Sequence, residues 1–218
     1  MEILYEDASL TVAVKPPELL SERTDNGSGF ADLMASRNQN AYVGVIHRLD
    51  RGVGGVMVYA REPRAAAKLS ADIQRHQFHK EYLAVVHGCP AESTAILRDL
   101  LFHDRNRNKT FTVDRMRKGV KEAVLDYRVL ATVNDPTLGI LSLLSVTLHT
   151  GRTHQIRVQF ASRGHTLVGD GKYGAHDHCP IALFCRSLAF HHPATGTPLR
   201  FSSKPKGPVW DLFDQLLK

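Results

Sequence analysis

Apolar positions in the first sixty residues come in short runs broken by turn formers, a pattern of strands and not of long helices. Ile3 to Tyr5 and Leu10 to Val14 are two such runs around the turn-prone Asp7-Ala8-Ser9. Lys15-Pro16-Pro17 follows, and the chain is expected to leave the sheet there because proline has no N–H to donate. A loop to about Gly29 leads into a short helix over Phe30 to Arg37. Strands are predicted next, over Tyr42 to Ile46 and over Gly55 to Ala60, the second apolar enough to be buried.

Pro63 suits a first helical position, and Ala66, Leu69 and Ile73 follow at i, i+3 and i+7, which predicts a helix from about Glu62 to Gln77 with one apolar stripe. Tyr82 to His87 reads as a strand. Ala123 to Thr132 and Leu138 to His149 are further strands, separated by the turn signal Asn134-Asp135-Pro136. Gly151 is expected to open a helix that reaches about Arg163 and ends at Gly164. Strands outnumber helices and the two do not alternate regularly, so the predicted class is α+β: a mixed, largely antiparallel sheet flanked by helices. There is no internal repeat and no linker, which points to a single domain over residues 1–218.

Composition adds three constraints. The 218 residues are 43% hydrophobic, enough for a sizeable core. Three cysteines at wide spacing (Cys89, Cys179, Cys185) argue against a disulfide framework and for a reducing compartment, so a cytoplasmic location is expected. Acidic residues near Met1 and the lack of an apolar run of about 18 residues argue against a signal peptide and a membrane partner. The net charge of +6 favours a polyanionic partner, and it is concentrated. Arg105, Arg107, Lys109, Arg115, Arg117, Lys118 and Lys121 stand against only Asp104 and Asp114. That stretch reads either as a solvated hairpin or as a phosphate-contacting arm.

Asp50 lies just before the glycine-rich Gly52-Val53-Gly54-Gly55, which presents a carboxylate at a strand end where backbone or ligand can approach closely. It suits a nucleophile, or a turn aspartate paired with Arg48 or Arg51. Arg157 neighbours the apolar Ile156 and Phe160; an arginine beside a core needs an acidic partner, and a carboxylate held by a guanidinium stays ionised at neutral pH. Arg152 and the amides of the helix start could instead hold a phosphate, or both arginines could be solvated. Tyr82 begins a strand buried on both faces; it reads as core, or as a phenol that stacks on a base and moves a proton. His176-Asp177-His178-Cys179 is dense in metal donors but lacks the second paired cluster of a structural zinc site. No nucleophile elbow, phosphate-cradling loop or dinucleotide fingerprint is present.

Taken in order, these segments resemble the RluA-type pseudouridine synthases over nearly the whole chain. The resemblance rests on Ile3 to Asp7 with Lys15-Pro16, on His47-Arg48-Leu49-Asp50, on Lys80-Glu81-Tyr82-Leu83-Ala84, and on Gly151 to Arg157 followed by Gly164-His165 and Val168-Gly169-Asp170-Gly171-Lys172-Tyr173-Gly174. It implies that Asp50 is the catalytic carboxylate, Tyr82 the active-site tyrosine, and Arg157 the arginine that pairs with Asp50. Arg48 would fill the space left by a flipped nucleotide. It also implies a mixed, largely antiparallel sheet, no cofactor or metal, and a uridine in a ribosomal or transfer RNA stem-loop as substrate of a monomer. The RNA-binding domain that often precedes this catalytic domain is not expected, since the first strand starts at residue 3. Three departures stand out: Val53-Gly54-Gly55 for the usual Thr-Ser-Gly, Pro16-Pro17-Glu18 in a proline turn where a glycine is customary, and Leu183-Phe184-Cys185-Arg186 for the usual Leu-His-Ala.

The implied reaction breaks the bond from ribose C1′ to uracil N1, turns the base and rejoins C1′ to C5. Asp50 would either attack C1′ or take a ribose proton to form a glycal. Two rival readings are a noncatalytic RNA-binding module, which keeps the basic arm but gives Asp50 no task, and a metal-dependent hydrolase built on His176, His178 and Cys179.

Overall fold

The structure is a computed structural model that describes residues 1–37 and 42–217. In chain order the strands are β1 (Glu2–Glu6), β2 (Leu10–Lys15), β3 (Gly44–Val45), β4 (Gly54–Ala60), β5 (His79–His87), β6 (Thr94–Asp104), β7 (Lys109–Val113), β8 (Val120–Asp135), β9 (Gly139–Leu148), β10 (Leu183–His191) and β11 (Pro198–Ser202). The helices are α1 (Phe30–Arg37), α2 (Pro63–Gln74), α3 (Gln155–Ala161) and α4 (Pro208–Asp211). The chain forms two compact units, Met1–Glu81 with Phe184–Pro205 and Tyr82–Leu183 with Lys206–Lys218. The α+β class and the mixed, largely antiparallel sheet with few helices are present as expected.

In the first unit β2 pairs antiparallel with β1 and β4, β4 pairs parallel with the start of β10, and β10 pairs antiparallel with β11 over Ser187 to His191. The β1–β2 turn closes because Asp7 Oδ1 accepts hydrogen bonds from the Ser9 and Leu10 amides, 2.8 and 2.9 Å. Every residue of β4 is buried, as its apolar run predicts. Lys15 is the residue that departs from expectation: it stays in the sheet, opposite Gly55, and only Pro16 leaves. Gly55 has φ +135°, and a Cβ there would lie 2.5 Å from the backbone N and O of Cys185. The parallel contact between β4 and β10 therefore needs glycine at this position.

Helix α2 begins at Pro63 as predicted, but its buried face runs through Ala65, Leu69 and Asp72, with Ala66 and Ile73 on the flank. Asp72 can be buried because Lys68, one turn earlier, reaches its Oδ1 at 2.8 Å.

In the second unit β9, β8, β6 and β7 form an antiparallel sheet. Strand β6 is not evident from its residues, because its pattern is blurred: Ile96 is exposed while Leu97 and Leu101 are buried. Leu101, Ala123 of β8 and Val158 of α3 pack together with Tyr173, and Phe160 meets Tyr127 edge to face at 5.2 Å. Asp99 of β6 anchors the end of α3 by accepting from Gln159 Nε2 and the Arg163 guanidinium. Among the described residues no helix is long and apolar enough to cross a membrane.

Gly55→Ala should destabilise the protein by about 2 kcal/mol or more, through both the clash with Cys185 and the strained φ. Urea unfolding of the variant against the parent checks this.

Candidate active site

The segment around Asp50 joins β3 to β4 and is braced on both sides. On its N-terminal side His47 is buried, and its Nε2 accepts a hydrogen bond from the Val58 amide of β4 at 3.3 Å. Burial, with Lys80 adding to it, holds the imidazole well below its ordinary pKa, so it is a neutral spacer. Leu49 is clamped by Ser21, whose hydroxyl accepts from the Leu49 amide (3.0 Å) and donates to the Leu49 carbonyl (2.9 Å). The Tyr59 hydroxyl in turn donates to the Ser21 carbonyl.

On the C-terminal side the Val53 amide donates to the Asp50 carbonyl at 3.0 Å, which closes a turn over Arg51-Gly52. Lys15 lies beneath that turn with no solvent exposure. Its ammonium donates to the carbonyls of Pro16 (2.9 Å), Leu19 (2.8 Å) and Arg51 (3.3 Å). Burial pushes the Lys15 pKa down to about 8, while the Asp50 and Glu18 carboxylates act in the opposite sense. Asp50 is half-buried and faces this cation's field.

The arginines beside Asp50 each reach a glutamate. Arg51 reaches Glu18, with Nε 3.2 Å from its carbonyl oxygen and 3.8 Å from its carboxylate. Arg48 is 69% exposed and its Nη1 is 3.5 Å from Glu22, so it is a solvated cation held at its base by the Leu49 clamp. Glu18 adopts φ 68°, the left-handed conformation that glycine occupies at the least cost.

Tyr82, Arg152, Arg157 and the basic stretch belong to the second unit. Tyr82 stands in β5 and is 5% exposed. Helix α3 starts at Gln155 and not at Gly151, because Gln155 Oε1 accepts from the Thr150 hydroxyl (2.8 Å) and the Arg152 amide (3.0 Å) and so holds the preceding residues as a loop. His154 completes that loop with φ 54°. The Arg152 amide is therefore already used, and its Nε donates to the Glu122 carbonyl at 2.8 Å.

Arg157 has the acidic partner its position demands. Its Nε and Nη2 each lie 2.7 Å from a different oxygen of Asp170, a bidentate pair with Asp170 1% exposed. The Tyr173 ring lies 5.2 Å from the same guanidinium. Asp170 and Tyr173 lie in a stretch that carries the family resemblance, yet sequence reasoning gave them no role; an aspartate followed by glycine and, three residues on, a tyrosine after a helical arginine was the available signal. Lys15 was missed because a lysine before two prolines looks like the end of a strand.

The basic residues sit on the β6–β7 hairpin, on the loop into β8 and, for Lys121, at the start of β8. Arg105, Arg107, Arg115, Arg117, Lys118 and Lys121 are exposed and Lys109 is half-buried. Asp104 Oδ1 caps the hairpin turn through the Asn106 and Arg107 amides. In the histidine-rich loop Asp177 is a brace, pairing with His87 Nε2 at 2.7 Å and accepting from the Gly169 amide. Burial opposes its charge, yet the Gly169 and His87 bonds hold its pKa below the usual range. Among the described residues no group of three or more His, Cys, Asp or Glu is placed to hold a metal ion.

Residues 9–162, which span both the Asp50 turn and Arg157, fit the model of the family described as RNA pseudouridylate synthase. The chain belongs to this family, RluA type, whose enzymes isomerise uridine to pseudouridine in RNA. Nothing in these comparisons favours the noncatalytic module. An uncharacterized RNA pseudouridine synthase of Chlorobaculum parvum is 36% identical over 73% of this chain and 54% of its own length. The ribosomal large subunit pseudouridine synthases D of Zymomonas mobilis and Pseudomonas aeruginosa are 31% and 33% identical, over 100% and 96% of this chain and 73% and 70% of theirs. The structure of human RNA pseudouridylate synthase domain containing 1 shares the fold, with TM-score 0.77 at 22% identity over 94% of this chain and 83% of that one.

The Lys15 brace makes stability depend on pH. Its folded pKa lies below the ordinary 10.5, so between about pH 8 and 10.5 the folded protein binds fewer protons than the unfolded chain. The unfolding free energy should therefore carry a positive contribution to its slope in that window, at most about 1.4 kcal/mol per pH unit. Lys15→Met should lack it, as measured by urea unfolding at a series of pH values.

Proposed function

We propose that this chain converts a uridine of structured RNA to pseudouridine with Asp50 as the essential carboxylate and Tyr82 and Arg157 as its catalytic partners. The observation that carries the reading is the Asp50 turn. Ser21 holds Leu49 and Lys15 holds Arg51, so the backbone is fixed on both sides of Asp50, as a group that must be positioned against a substrate requires. Breaking the bond from C1′ to N1 needs a nucleophile or base at the ribose and nothing redox-active, which one placed carboxylate supplies.

A uridine must leave its stack before C1′ can be reached, at a cost of roughly a few kcal/mol. Arg48, exposed and next to the clamped Leu49, is suited to enter the vacated space. Arg152 and the hairpin residues Arg105, Arg107, Lys109, Arg115, Arg117, Lys118 and Lys121 would bind phosphates without regard to sequence. Tyr82 would lie against the turned base. We propose ribosomal RNA as the substrate, in view of the names of the Zymomonas and Pseudomonas relatives, with transfer RNA as the other outcome of the test. The proposed setting is a monomer in the cytoplasm, with the two units acting as one catalytic domain.

Asp50→Asn should lower the single-turnover rate on RNA from cells lacking the gene by about 1,000-fold or more while thermal unfolding and RNA binding stay near the parent's. Full activity in that variant would refute the assignment. Replacing Arg115, Arg117 and Lys118 together by Gln should weaken RNA binding and reduce the slope of log affinity against log salt by about 0.7 to 0.9 for each phosphate the variant no longer neutralises. An unchanged slope in a filter-binding titration would remove this loop from the RNA interface.

A further inference from the structure

The ion pair with Asp170 fixes one edge of the Arg157 guanidinium. The Tyr173 ring lies 5.2 Å from the guanidinium carbon and adds a contact to its face, and it is tied to Asp170 because the Tyr173 amide donates to the Asp170 carbonyl at 3.0 Å. The far end of the same side chain is held by another element. Its hydroxyl accepts from the Thr110 amide of β7 at 2.9 Å and donates to the Thr110 carbonyl at 3.2 Å, and His154 Nδ1 lies within hydrogen-bond distance at 3.0 Å.

Two more contacts tie this segment to the basic hairpin. The Lys109 ammonium lies 5.2 Å from the Tyr173 ring centre, and Lys172 Nζ donates to the Asn108 carbonyl at 2.9 Å. Asn108 and Lys109 close the β6–β7 turn, with Asn108 in the left-handed conformation at φ 44°. One aromatic ring thus touches both the arginine and the hairpin that presents the basic residues.

We propose that Tyr173 is a positioning residue with two separable tasks: its ring sets the Arg157 guanidinium, and its hydroxyl docks the RNA-contacting hairpin through Thr110. This rests on the placing of Arg157 in the catalytic set and of the hairpin at the RNA. Tyr173→Phe keeps the ring and loses only the hydroxyl, whereas Tyr173→Leu loses both.

The test measures kcat and KM on total RNA from cells lacking the gene, following whichever uridine the parent converts. Tyr173→Phe should keep kcat within about twofold and raise KM about fivefold, while Tyr173→Leu should also lower kcat about tenfold or more. Arg157→Lys should be slow, and the Arg157→Lys, Tyr173→Leu double variant should be no slower than the slower single variant by more than about twofold, because the two act through one guanidinium. Parental KM in Tyr173→Phe, parental kcat in a folded Tyr173→Leu, or a double variant that multiplies the two single losses would overturn the proposal. If Tyr173→Leu does not fold, the KM of Tyr173→Phe still decides the hydroxyl's task and with it the proposal. Parental kcat in Arg157→Lys would remove Arg157 from the catalytic set and overturn both readings, whereas a slow Arg157→Lys beside parental Tyr173 variants overturns this inference alone.

Discussion

An ammonium group carried into a protein interior must have its protons bound, and Lys15 meets that demand with backbone carbonyls alone. The three acceptors belong to Pro16, Leu19 and Arg51, so one cation gathers the end of β2, the proline turn and the residue after Asp50. Burial makes the charge costly and the Asp50 and Glu18 carboxylates offset part of that cost, which couples the brace to the residue it supports. A hydrophobic side chain could fill the same volume but would leave three carbonyls without a donor.

The second unit solves a similar problem with a salt bridge. Arg157 stands beside the buried face of α3, and Asp170 is almost fully enclosed; neither would be tolerable alone, and the bidentate geometry satisfies both. The segment that delivers Asp170 turns sharply at Gly169, φ +77°, where a Cβ would fall 2.3 Å from the Pro180 carbonyl oxygen. That close approach is why the motif reads Gly169-Asp170 and why the aspartate arrives at a fixed place.

The departures from the family pattern are absorbed by the backbone. Glu18 takes the left-handed conformation that glycine would occupy at less cost, and its carboxylate then pairs with Arg51 and favours the Lys15 charge. Cys185 is fully buried on β10 directly beside Gly55, so the small residue on one strand matches the absent side chain on the other. Val53 is also buried and its amide closes the Asp50 turn, a bond that needs no particular side chain.

Much of this protein was legible in its residue order. Alternation and turn formers located β1, β2, β4 and the long β8–β9 pair, because period and turn chemistry are local properties. The motif around Asp50 and that around Arg157 named the family for the same reason: each is a contiguous string. Strand β6 has no clean alternation because its open face also carries an apolar residue, the exposed Ile96, beside Leu97 and Leu101 of the buried face, and α3 begins later than expected because Gln155 bonds back to Thr150 and the Arg152 amide. Only the tertiary structure disclosed that Lys15 is a buried brace 36 residues from the carbonyl it holds. The same holds for the partners of Arg157 and for the hydroxyl that Tyr173 sends to Thr110, 63 residues away. A charge or hydroxyl reveals its need for a partner in the sequence, but which partner it meets is decided by packing between segments that no local pattern connects.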